Sequence, residues 1–192
     1  MEVWAKWAES VSIDTRCINF LLMHPELVSE KVNSRSITNF FNSISSIDDF
    51  DKNLPMIQMI GEGSVGPEFS SLFTSFINNK LDKMLTPKEV LLHDNEGYIM
   101  GALRSTIGRD DSYRADIASI MATRLINYSL MHAEKVGITQ KELDRITRLL
   151  VDEETFANDI KYHIAKKIVN GNKQKFQKLL VNVEVMKMVT KN

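Results

Sequence analysis

Met56-Ile57-Gln58-Met59-Ile60-Gly61-Glu62-Gly63-Ser64-Val65-Gly66-Pro67-Glu68-Phe69-Ser70-Ser71-Leu72-Phe73-Thr74-Ser75-Phe76 is the stretch on which the fold class turns. Gly61, Gly63 and Gly66 match the G-x-G-x-x-G pattern of dinucleotide-binding folds. The short apolar run Met56 to Ile60 precedes them, a helical pattern follows, and Asp82 lies about 20 residues on. That pattern has meaning only inside repeated strand–helix units, and no second unit follows. The preferred reading is a helix-to-helix corner whose small residues allow close packing. After it, Val65, Phe69, Leu72, Phe73 and Phe76 recur at intervals of three and four, with Ser64 expected as cap and Pro67 in the first turn.

Outward from this stretch the helical period persists, and no alternation of period two lasts long enough to propose a sheet. The predicted fold class is all-α, a multi-helix bundle. Trp4, Trp7 and Ala8 share one predicted face, and Ile18, Leu21 and Leu22 form another before Pro25. Ile37, Phe40, Phe41 and Ile44 mark a helix from about Ser34 to Ser46, and Thr86-Pro87 another start. A long helix is expected from about Tyr113 to Lys135, closed by Gly137. Three more follow, with stripes Leu143, Ile146, Leu150; Phe156, Ile160, Ile164, Ile168; and Phe176, Leu179, Leu180, Val183, Met186. The polar Gly108 to Ser112 segment is the best internal boundary, giving a helical subdomain over 1–108 and a helical extension over 109–192.

Composition narrows the function classes without choosing one. The 192 residues are 43% hydrophobic and 26% charged, which excludes low-complexity disorder and disulfide-rich scaffolds. Net charge is −1, but residues up to Asp111 carry 10 basic and 16 acidic side chains and the remainder 14 and 9. The halves therefore attract each other, or the second faces an anionic partner. The lone Cys17 and a start without a basic-then-apolar leader point to a reducing cytoplasm. No apolar run reaches the roughly 18 residues that a membrane helix needs.

Local motifs offer little chemistry. Leu149-Leu150-Val151-Asp152-Glu153 has the form of a strand-borne magnesium motif, but no G-x-x-x-x-G-K-[ST] loop accompanies it, and Asp152 reads better as the N-cap of the next helix. His24, His93, His132 and His163 are too scattered for a local metal motif, so no metal site is predicted; His163 is read as a partly buried core-edge residue. Lys161, Lys166, Lys167, Lys173, Lys175 and Lys178 form the one stretch able to meet a phosphate backbone. It lacks arginine, its only aromatics are Tyr162 and Phe176, and solvated helix faces are the simpler account.

One resemblance adds to this. The succession Val3-Trp4-Ala5-Lys6-Trp7-Ala8, Ile18-Asn19-Phe20-Leu21 into His24-Pro25-Glu26-Leu27, Asn33-Ser34-Arg35-Ser36-Ile37, and Gly61 to Gly66 with Phe69 and Phe73 resembles the region after the nucleotide-binding core of MoxR-like AAA+ ATPases of phage and bacterial type. Leu85 to Leu91, Tyr113 to Ile117 and Arg124-Leu125 fit the tail of that type, so the resemblance spans about residues 3–128. It implies a helical lid that closes over ATP and Mg²⁺ bound to an AAA+ core lying upstream in the same polypeptide. Neighbouring subunits of a ring and a protein client would be its other partners. On that basis the chain alone is not an enzyme. Arg35 takes the place of the family's second sensor arginine, with Ser34 where the family has proline; otherwise it is a surface arginine in a helix first turn. The alternative function is a stand-alone helical module that binds nucleic acid or another polyanion through Lys161 to Lys178.

Overall fold

The computed structural model describes residues 2–78 and 84–190, so Asp82 of the dinucleotide-like pattern lies outside the described residues. The fold is all-α: the described residues form twelve α-helices with short 3₁₀ turns, and no strand. The chain divides into two compact units, Met1–Met84 and Leu85–Asn192. This division falls ahead of the expected boundary at Gly108. Gly108, at φ +76°, instead stops a helix inside the second unit, where the Arg114 N–H donates to the Ile107 carbonyl at 2.7 Å across the bend.

The first unit comprises α1 (Glu2–Ser10), α2 (Thr15–Met23), α3 (Ser34–Ile44), α4 (Leu54–Val65) and α5 (Pro67–Asn78). Its core is aromatic. Phe20, Phe40, Phe41, Phe50, Phe69, Phe73 and Phe76 are all buried. Phe20 meets Phe69 and Phe73 edge-to-face at 5.1 and 5.0 Å, and Phe40 meets Phe73 at 5.5 Å and 82°. Edge-to-face packing sets the positive ring edge against the negative face, and each pair adds about 0.5–1.5 kcal/mol beyond area burial. Asp14 caps α2 and also holds the Arg16 guanidinium, which lies 3.5 Å from the centre of the Phe50 ring.

The glycine corner is a helix–helix contact. The run Met56 to Ile60 belongs to α4, and Ser64, expected as a cap, lies in the last turn of α4 with its hydroxyl on the Ile60 carbonyl. Gly66, at φ +89°, ends the helix, and Pro67 begins α5, where its missing N–H costs nothing. A Cβ on Gly61 would come within 2.6 Å of Ser70 Cβ and 3.2 Å of the Phe40 ring. Burial of Cys17 among these helices, with Asp14 adding to it, pushes its thiol pKa up.

The second unit comprises α6 (Pro87–Leu92), α7 (Glu96–Ile107), α8 (Ala115–Lys135), α9 (Gln140–Val151), α10 (Asn158–Gly171), α11 (Lys173–Phe176) and α12 (Val183–Thr190). The 21-residue α8 packs against α6, α7 and α10, while α9 packs against α6, α10 and α12. Thr86 and Glu89 close a capping box at the start of α6, the arrangement that Thr86-Pro87 announces in sequence. From α9, Arg145 reaches the carbonyls of Val90 and His93 at 2.9 Å and the Glu96 carboxylate at 3.3 Å, so one buried guanidinium joins the end of α6 to the start of α7.

Two sequence expectations are corrected here. Asp152 does not cap a helix: α10 starts at Asn158, and Asp152 ends α9, where it accepts from the Glu154 N–H and the Thr155 hydroxyl and pairs with Arg104. The last predicted helix is broken. A 3₁₀ turn, Gln177–Val181, follows α11, and the Asn182 side chain accepts from the N–H groups of Glu184 and Val185 to start α12 anew. The interruption resets the helical phase, so Val185 is buried while Val183 and Met186 face solvent.

Candidate functional site

Arg35 occupies the first turn of α3. The Asn33 side chain accepts from the N–H groups of Arg35 and Ser36 at 3.0 and 3.2 Å, which fixes that turn without the proline that Ser34 replaces. Arg35 is exposed, and among the described residues no carboxylate lies within ion-pairing distance of its guanidinium. It borders an open cleft of about 370 Å³ together with Trp4, Trp7, Ser34, Thr38 and Asn39. A second cleft, lined by Val3, Trp4, Trp7, Pro25, Val28 and Ser34, shares the two indoles.

The indoles differ in role. Trp4 is buried against Phe41 at 6.2 Å, and its Nε1 has no acceptor among the described residues. Trp7 is 45% exposed and stands 6.5 Å from Trp4. The sequence places both on one face with Ala8, but the buried face of α1 is Trp4, Ala5 and Ala8, and Trp7 stands at its edge. Trp7 is therefore a site residue that sequence reading groups with Trp4 and Ala8 on one face, whereas a wheel centred on Ala5 and Ala8 sets it at the edge.

Chemically this arrangement offers one permanent positive charge beside an apolar, aromatic wall. The guanidinium can donate two parallel hydrogen bonds to a phosphate or carboxylate. It fits a single anionic contact rather than a whole nucleotide site, and the described residues contain no group of three acidic, His or Cys side chains able to hold a metal ion.

The structure removes one member from the lysine series. Lys161 is only 4% exposed, since it falls within the buried band of α10 with Ile160, Ile164 and Ala165, and it is thereby removed from any phosphate-facing set. Lys166, Lys167, Lys173, Lys175 and Lys178 are exposed, whereas Phe176 is buried. His163 is exposed rather than at a core edge, and lines a shallow cleft with Ser119, Thr123 and Asp159. No hydrogen bond joins Ser119, His163 and Asp159, so the three do not make a nucleophile–base pair with its orienting acid. No helix among the described residues is long and apolar enough to cross a membrane. Compared with family models, curated proteins and solved structures, the chain matches none.

Proposed function

We propose that this chain serves as the helical lid of an AAA+ nucleotide hydrolase of the MoxR-like type, and that Arg35 reaches from it to the terminal phosphate of ATP held by a separate core. The supporting observation is the unpaired guanidinium in a capped first turn beside the open Trp4–Trp7 cleft. The Asn33 cap satisfies the helix's own N–H groups in any case, and it also fixes the backbone from which the arginine extends. An arginine that must meet a phosphate gains a fixed starting point, because α3 is anchored through the buried Ile37, Phe40, Phe41 and Ile44.

Under this reading the phosphate cradle and the Mg²⁺ ligands belong to the core. Bound ATP supplies the reacting phosphoryl group, and Arg35 contributes charge as negative charge spreads over the phosphate oxygens. The exposed Trp7 and the apolar cleft beside it contribute the surface on which the core rests.

The test is ATP turnover by the tagged protein recovered from its native source with its assembly. Turnover should fall at least about 100-fold with Arg35→Ala, the assembly remaining intact, and Arg35→Lys should restore only part of it because the two-donor contact is lost. Equal turnover in wild type and Arg35→Ala, or none in either, would end the proposal.

A further inference from the structure

Between Asp159 and Glu184 the chain carries six lysines and no carboxylate. The structure sorts them. Lys161 turns inward, and the remaining five are exposed with no ion pair to any described residue; Lys178 Nζ makes only a long contact, 3.5 Å, to the Gln140 side chain. Their exposed sequence neighbours include the amides Asn170, Gln174 and Gln177, and the Gln140 that Lys178 meets donates in turn to the Asp144 carboxylate at 2.9 Å.

The surface is continuous along the chain and rigidly carried. On α10, Lys166, Lys167 and Asn170 are exposed on one side, while Ile164, Ile168 and Val169 are buried on the other. At 100° per residue the three exposed positions span an arc of about 100°. The corner after them is pinned: Gly171 lies so near Leu130 of α8 that a Cβ there would come within 2.8 Å of its methyls. Asn172 caps α11 by accepting from the Lys175 N–H, and Phe176 and Leu179 anchor α11 and the 3₁₀ turn in the core. Lys173, Lys175 and Lys178 are thus held on fixed backbone rather than on a tail.

We infer that this face, from Lys166 to Lys178, binds the phosphate backbone of duplex nucleic acid without reading sequence. Charge complementarity carries the choice of occupant. A stretch rich in lysine and without a carboxylate of its own is matched by a dense polyanion, and lysine and side-chain amides are groups that hydrogen-bond phosphate and sugar oxygens. No aromatic residue is exposed on the face, so the base stacking that holds single strands has no platform. Among residues 166–178 no large apolar side chain is exposed, so the face itself offers a bilayer no apolar stripe to bury; the exposed Val181, Val183 and Met186 lie beyond it. Arginine, the commonest partner of guanine edges, is absent from the stretch, which favours backbone contact over base reading. Along the sequence the stretch is bounded by Asp159 at the start of α10 and Glu184 at the start of α12. This inference is independent of Arg35 and of any ATPase.

The experiment is fluorescence anisotropy of a labelled random-sequence DNA duplex titrated with the full chain, beginning near 50 mM salt. Binding should weaken with salt at a slope of about −0.9 per phosphate contact, hence about −3.6 to −4.5 for four or five lysines. K166E/K167E and K173E/K175E should each cut affinity at least tenfold and reduce the slope by about 2, with helical circular dichroism unchanged because all four positions are exposed. K6E/K31E, a charge reversal at exposed positions of the first unit, should leave binding unchanged. The inference is overturned by the absence of binding near 50 mM salt, by an equal loss with K6E/K31E, or by polyglutamate competing as well as duplex.

Discussion

Asp152 shows how much one carboxylate can hold. Burial alone would push its pKa up, yet the Thr155 hydroxyl, the Arg104 guanidinium and the Glu154 N–H bring it below the ordinary aspartate value. Arg104 in turn contacts Glu154, which also meets Arg109, so the stop of α9 is tied to the end of α7. A carboxylate with a depressed folded pKa contributes stability that is present above its unfolded value of about 3.9 and is lost as pH falls through the folded one. Urea midpoints measured from pH 7 down to pH 2 should therefore show a wild-type acid limb that Asp152→Asn flattens, with the variant already less stable at neutral pH. Parallel limbs in the two proteins would show that Arg104 and Asp152 are neighbours without energetic coupling.

Among the elements, α4 carries two glycines with opposite expectations. Gly63 faces open space within a helix, so Gly63→Ala should raise stability by about 0.5–1 kcal/mol. At Gly61 the new methyl meets Ser70 Cβ, and overpacking exceeds the helix-propensity gain, for a net loss of about 1–2 kcal/mol. Thermal midpoints moving the same way in both variants would refute the close α4–α5 contact. The periodicity of Ile37, Phe40, Phe41 and Ile44, or of Phe69, Phe73 and Phe76, was enough to place α3 and α5, because apolar spacing and burial coincide there. It failed at Asn182, where a side chain competing for backbone N–H groups restarts a helix out of phase, and at Asp152, where tertiary pairing with Arg104 outweighs a local cap. In the candidate sites, the first-turn position of Arg35 was legible, but the burial of Lys161 and the exposure of Trp7 were not. Both depend on which neighbours pack against a helix, and a run of like residues does not encode that.

On the scale of the whole molecule, the first 84 residues have a core of their own, running from Trp4 to Ile77, and the second unit builds another around α8 and α9. Each unit is long enough to fold by itself. Fragments 1–84 and 85–192, produced separately, should each give helical circular dichroism and a single cooperative melt; a shallow, non-cooperative melt from either would show that it needs the other. The division at Met84 also separates the chromophores. Both tryptophans belong to the first unit, and all four tyrosines, Tyr98, Tyr113, Tyr128 and Tyr162, to the second. Red-edge excitation of the intact chain thus illuminates one half alone, while tyrosine emission reports the other, and the order in which the halves come apart can be watched in a single cuvette without attaching a dye.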